Sequence, residues 1–189
     1  REQSVSVSHE IYGPAFLPHK LKIGLALPED NCVDVLAQDI GLLMSCRGEQ
    51  VVGYEVFVGG GMSMSPSVSR NSPRLAQPLA FVAPDQVLAV IRAIVEVYRE
   101  SGDRTRPNQA RMKYLVADCG IEEFGRLVQH RLGSKLAAPR GIAISGRDDH
   151  LGWHGQEDGL WQLGIAIESG RLVDESHSRL VSALRSILR

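Results

Sequence analysis

The stretch 84–100 narrows the fold of this chain more than any other. Val87, Leu88, Ile91, Ile94, Val95 and Tyr98 recur three and four residues apart, the spacing of one face of an α-helix. Pro84 suits a first turn, where its missing N–H costs nothing, and Gly102 suits the position just past the last turn. A helix with one apolar stripe must bury it, and the preceding segments offer a sheet. Residues 20–27, 40–44 and 51–58 read as strands, the last two joined as a hairpin through Arg47-Gly48-Glu49. Residues 62–77 carry five serines and two prolines with no periodicity, the pattern of a loop. Beyond the long helix, the spacing predicts helices over 109–117 and 121–132, with Gly120 and Gly133 as stops. Residues 142–144 and 159–167 are strand-like, Ser169-Gly170 turns into Arg171-Leu172-Val173, and 178–188 is an amphipathic helix. Strands, helices, strands and a helix in that order predict α+β, a mixed sheet with helices packed on it, and 84–100 as the longest buried helix.

The bulk numbers exclude several functions. A chain of 189 residues, 43% hydrophobic and 23% charged, can bury a core as one or two small soluble domains. A net charge of -1 gives no field to recruit nucleic acid or an anionic membrane, and 5% aromatics make no base-stacking surface. No apolar run is long enough for a bilayer, and the start shows no signal-peptide pattern. Cys32, Cys46 and Cys119 are dispersed, without a C-x-x-C pair. That suits a reduced, cytoplasmic protein, and three thiols fall short of the four that an iron–sulfur cluster takes. Among these residues the sequence offers no metal site.

Leu17-Pro18-His19-Lys20-Leu21-Lys22 is the stretch that points to chemistry. If a strand begins near His19, the period of two puts Lys20 and Lys22 on one face and Leu21 on the other. Two neighbouring ammonium groups repel unless an anion sits between them. Spacing alone favours the other reading, an edge strand guarded by lysines. Gly59-Gly60-Gly61 lets backbone approach a ligand closely and offers N–H groups to anionic oxygens, or it ends a strand. No Gly-Lys-Ser/Thr follows, so it is not a P-loop. Asn31 suits an Asx-turn. Arg104, Arg106, Arg111 and Lys113 gather around a helix start, either to pair with ligand carboxylates or as a solvated helix end. His150 and His154 have metal-like spacing only on a helix, and Gly152 with its strand-like neighbours points to a hairpin instead. Trp153 and Trp161 read as core or interface anchors.

Taken in order, Ile11-Tyr12-Gly13, Leu17 to Lys22, Pro28-Glu29-Asp30-Asn31, Asp34, Asp39-Ile40-Gly41 and Val58-Gly59-Gly60-Gly61-Met62 resemble the sirohaem-containing nitrite and sulfite reductases, the ferredoxin-dependent sulfite reductases most of all. The resemblance runs from about Ile11 to Val173 and covers only the middle of a whole reductase. It implies an oxidoreductase reducing sulfite to sulfide at sirohaem coupled to a 4Fe-4S cluster, with nitrite as the alternative substrate, or a diverged structural module without catalysis. It implies Lys20 and Lys22 as catalytic, binding the oxyanion and supplying protons. His19, Asn31, Gly59, Gly60, Gly61 and Arg104 would contact the cofactor. Both cofactors belong to the full-length protein, and this chain by itself is expected to bind neither and to be inactive. Its partners would be sulfite or nitrite, the remainder of the reductase chain, and a ferredoxin or flavoprotein electron donor, with no nucleic acid and no membrane. Residues 1–136 would be the first catalytic half and 137–189 the start of a second half-domain. Three departures stand out. His19 replaces an arginine, Ser65-Pro66-Ser67 replaces a more basic run, and Pro107 stands where a second arginine is expected.

Overall fold

The computed structural model describes residues 11–64 and 72–187. The chain divides into two compact units, residues 1–147 and 148–189. The first unit is built on a four-stranded sheet in the order β1-β2-β3-β4: Ile23–Ala26 (β1), Ile40–Arg47 (β2), Gln50–Val58 (β3) and Gln77–Val82 (β4). β1 runs parallel to β2, and the other two pairings are antiparallel, so the sheet is mixed. The β2–β3 hairpin turns in two residues, with Gly48 at φ 60° where a side chain would be strained. Three helices follow the sheet: α1, Val87–Ser101; α2, Met112–Cys119; and α3, Ile121–Leu132. The α+β order is therefore borne out, and α1 is the longest helix among the described residues.

Period two along the strands gives the sheet two apolar faces. One carries Ile40, Leu42, Val56, Val58, Ala80 and Val82. Against it pack Val90, Ile94, Val97 and Tyr98 of α1, Met112 and Val116 of α2, and Phe124 and Val128 of α3. The other face carries Ala26, Leu43 and Phe57, covered by Val35, Ala76, Ile142 and Ile144.

Four expectations need correcting. The first strand begins at Ile23, not Lys20, because the Lys22 N–H is taken by the Asp39 side chain rather than by the ladder. The stretch 62–77 is not followed directly by the long helix: β4 intervenes, with Pro78 inside it. Proline is tolerated there because β4 is an edge, and the β3–β4 register shifts beside Pro78, between Val56 and Phe57. On α1, Leu88 faces solvent at 77% exposure, and Val90, Ala93 and Val97 are buried instead. The helix is covered by α3 as well as by the sheet, so its buried stripe is wider and rotated from the one the spacing predicts. Residues 142–144 belong to no strand.

Those last residues are nonetheless anchored in the first unit. The Glu55 carboxylate is fully buried on β3 and accepts the backbone N–H groups of Arg140 and Gly141, each at 3.0 Å. The Arg140 guanidinium lies 3.5 Å from the centre of the Phe81 ring. Further on, Ser145 and Gly146 both donate to the Pro28 carbonyl. Glu55→Gln keeps the shape but can accept only one of the two N–H groups with its oxygen. It is expected to cost about 1–3 kcal/mol in urea denaturation, the penalty of a stranded buried donor, and to speed proteolysis within 137–147. An unchanged midpoint and cleavage rate would show that Glu55 does not hold this segment.

The second unit is a hairpin, Gly152–Gly155 (β5) antiparallel to Trp161–Gly164 (β6), followed by a helix, Leu180–Ile187 (α4). His154 thus lies in a strand, as Gly152 suggests. None of its described residues is buried, and Trp153 and Trp161 are each 67% exposed, so neither is a core anchor within this unit. No helix among the described residues is long and apolar enough to cross a membrane.

Candidate functional site

Leu17 to Lys22 forms the end of a strap, residues 11–22, that is tied down by its backbone. Arg99 of α1 donates to the Ile11 carbonyl at 2.6 Å. Arg104 donates to the carbonyls of Ala15, Phe16 and Arg99 at 2.9, 2.7 and 2.9 Å. Gly102 gives Pro18 room, since a Cβ there would lie 2.7 Å from its ring. The backbone N–H of His19 donates to the Tyr98 hydroxyl, which donates in turn to the Ala110 carbonyl at 2.9 Å. Burial, with the nearby Asp39 charge, pushes the Tyr98 phenol up to about 12, so it stays a neutral donor. The strap ends where the Lys22 N–H meets Asp39 Oδ2 at 2.9 Å and the Lys22 carbonyl accepts from Ile40 at 3.0 Å. Lys20 and Lys22 remain exposed, with Leu21 half-buried on the core between them. The alternation read from the sequence holds at these three residues, although they precede the strand. His19 Nδ1 is buried with no hydrogen-bond partner among the described residues.

Asp39 is the buried centre beneath the strap. Its carboxylate is inaccessible to solvent and takes Arg111 Nε on Oδ1 at 3.0 Å, and Arg111 Nη2 on both oxygens at 2.9 Å. Burial pushes the Asp39 carboxyl above the ordinary carboxylate range, and the Arg111 charge pulls it back. Asp39 also accepts the Gly59 N–H on its main-chain oxygen at 2.9 Å.

The glycine run follows at once, and its N–H groups are all spent inside the fold. Gly60 donates to Gln38 at 3.0 Å and Gly61 to Arg74 at 2.8 Å, so the expected N–H donation to an anion has no free donor here. A Cβ on Gly60 would run into the carbonyl oxygens of Leu36 and Gln38, and one on Gly59 would crowd Val116. Lys113, buried in α2, donates to the carbonyls of Ser63 and Ser72, both at 2.9 Å. Burial, with Arg111 and Arg74 nearby, holds its ammonium below the usual lysine range. Asn31 is buried, and its Oδ1 accepts the N–H of Val35, four residues on, at 2.8 Å, a longer span than the two residues of an Asx-turn. Ser65-Pro66-Ser67 lies outside the described residues. The structure thus brings Lys22, Asp39, Arg111 and the glycine run together, while Arg104 and Asn31 act on backbone. The pairing of Asp39 with Arg111, 72 positions apart, carried no sequence signal beyond membership of an acidic pattern and a basic cluster.

The three cysteines lie on separate stretches, Cys32 after β1, Cys46 in β2 and Cys119 at the end of α2. They do not make a four-thiolate cluster site.

Comparison with known proteins identifies the family. Residues 4–136 match the family described as nitrite and sulphite reductase 4Fe-4S domain. The chain is 42% identical to "Sulfite reductase [ferredoxin]" of Synechococcus elongatus over 94% of its own length and 29% of that protein. It is 38% identical to "Sulfite reductase [NADPH] hemoprotein beta-component" of Chromohalobacter salexigens, over 94% of this chain and 31% of that one. The fold resembles the Mycobacterium tuberculosis NirA protein, with a TM-score of 0.65 and 27% identity over 85% of this chain and 29% of that one. The chain therefore spans less than a third of these relatives. With most of the first unit matched, the chain belongs to the nitrite and sulphite reductase 4Fe-4S domain family.

Proposed function

We propose that this chain is the part of a sulfite reductase that presents Lys20 and Lys22 to the oxyanion substrate. One observation carries the reading. Both ammonium groups stand exposed on a strap whose backbone is fixed at each end. Cations held in place where negative charge gathers stabilise it without reorganising as the reaction proceeds. A lysine can also donate a proton to a departing oxygen. Relatives named as sulfite reductases support the substrate class.

The residues present fit an anionic macrocycle at this place. His19 Nδ1 is a buried polar atom awaiting a partner, and it adjoins Lys20 in the chain. Sirohaem, when bound, would supply the redox chemistry. His19 would hold its edge, while Gly59, Gly60 and Gly61, packed against Val116, the 36–38 backbone and the Arg111 and Lys113 side chains, would shape the site from inside the fold. Arg104 and Asn31 would act indirectly, the first by tying down the strap and the second by bracing the turn after β1. A 4Fe-4S cluster does not fit this chain's own cysteines, and its ligands would come from the rest of a longer protein. That remainder, with a ferredoxin or flavoprotein donor, would complete the enzyme, and residues 148–189 would belong to its next domain.

The test compares two anions. Sulfite can carry two negative charges and nitrite one, so the second ammonium gains more from sulfite. In the full-length reductase, Lys22→Asn is expected to lower kcat/KM for sulfite about 100-fold and for nitrite about tenfold or less. Equal losses would assign Lys22 no part in selecting sulfite, and no loss would remove it from the site.

A further inference from the structure

The lysine strap and the glycine run are separate in sequence, yet one residue fastens both. Asp39 binds the Lys22 N–H through Oδ2 and the Gly59 N–H through its main-chain oxygen, both at 2.9 Å. Its carboxylate cannot turn away from Lys22, because the Arg111 fork grips both oxygens and the group has no contact with solvent. Arg111 is itself fixed as the residue that opens α2, with Met112 and Lys113 buried directly after it. Its Nη2 comes so near Gly61 that a Cβ there would lie 3.3 Å away. From the core outward, the order is α2, Arg111, Asp39 and then the backbone of Lys22.

An ion pair this deep is a weak means of gaining stability, since desolvating both charges offsets most of their attraction. What it does provide is one geometry. The planar fork and the two carboxylate oxygens leave a single orientation, and that orientation points Oδ2 at the one amide which begins the lysine segment's pairing with β2.

We propose that Asp39, clamped by Arg111, is a positioning residue that fixes Lys20 and Lys22 relative to the glycine run, so that the anion meets a preformed pair of cations. This rests on the lysine reading above. The pair touches no substrate. It acts by keeping the strap in register, which lowers the cost of ordering two long side chains when the anion arrives.

The experiment uses the full-length reductase with both positions changed together, Asp39→Ala and Arg111→Met, so that no charge is left buried alone. Two quantities are read: residue-resolved amide hydrogen exchange, and the separate values of KM and kcat for sulfite. Lys22 is expected to exchange about tenfold faster or more, with Ile94 in α1 unchanged, which marks local release rather than global loosening. KM for sulfite is expected to rise about tenfold while kcat changes little, the pattern of lost ground-state and transition-state binding together. Unchanged exchange at Lys22 would overturn the proposal. Equal acceleration at Ile94, or an unchanged KM, would do so too, leaving the pair a plain core contact. If the double variant does not fold, Arg111→Lys keeps the cation and loses the fork, and the same two readouts decide in the same way. Failure of the lysine reading shows elsewhere: Lys20→Met and Lys22→Met would then leave sulfite kinetics untouched, and the exchange at Lys22 alone would uphold or overturn Asp39 as the residue that orders the strap.

Discussion

Replacing Lys20 and Lys22 together by methionine in the full-length reductase is expected to lower kcat/KM for sulfite by about 1000-fold or more. A preorganised donor aimed at developing charge contributes about 100- to 1000-fold, and a general acid adds a similar factor. In the proposed role the two lysines share one anion, so their losses will not simply multiply. Methionine keeps most of the unbranched stem and removes only the charge and the donors. Both side chains are exposed, and exposed substitutions shift stability by about 0.5 kcal/mol or less, so the denaturation midpoint should hold. Steady-state turnover with a reduced dye measures the first quantity and urea denaturation the second. A loss of turnover below tenfold would make the lysines solvated charges on the strap that leads into β1.

Local rules carried the reading of the fold as far as they act. The helix 121–132 is found with the same ends because Gly120 and Gly133, at φ 81° and 74°, stop it from both sides. The β2–β3 hairpin follows from a glycine turn between two apolar runs. The rest depended on partners far along the chain. β4 was hidden by Pro78, which a strand accepts only at an edge, and nothing local says which strand will be outermost. Leu88 fits the helical period as well as Val90 does, and only the position of α3 decides between them. At the candidate site, the alternation of Lys20, Leu21 and Lys22 was legible because a period of two is local. The identity of their support was not. Asp39 and Arg111 each looked like one member of a polar cluster, and only folding shows that they form one buried pair. The glycine run shows the opposite limit. Glycine permits close approach by any surface, and the surface that Gly60 approaches is the protein's own backbone.

That last point makes Gly60→Ala a sharp test. No left-handed backbone is involved, since Gly60 is not among the residues of positive φ, so any cost comes from the space the methyl needs. That space is filled by the carbonyl oxygens of Leu36 and Gln38, and both are fixed: Leu36 accepts from Ala76 at 2.8 Å, and Gln38 accepts from Gly60 itself at 3.0 Å. Backbone cannot swing aside as a long side chain can, so the segment 59–61 must move away from 36–38. That would break the Gly60 bond and disturb the neighbouring bond from Gly59 to Asp39. The expected cost is about 3 kcal/mol in urea denaturation, the upper end for overpacking a close-fitting site. Gly48→Ala is the control. It lies at φ 60° with nothing within 4 Å, so only its backbone strain counts, about 1 kcal/mol. If Gly60→Ala proves as mild as Gly48→Ala, the backbone there yields, and the glycine is kept for what binds against it rather than for the fold.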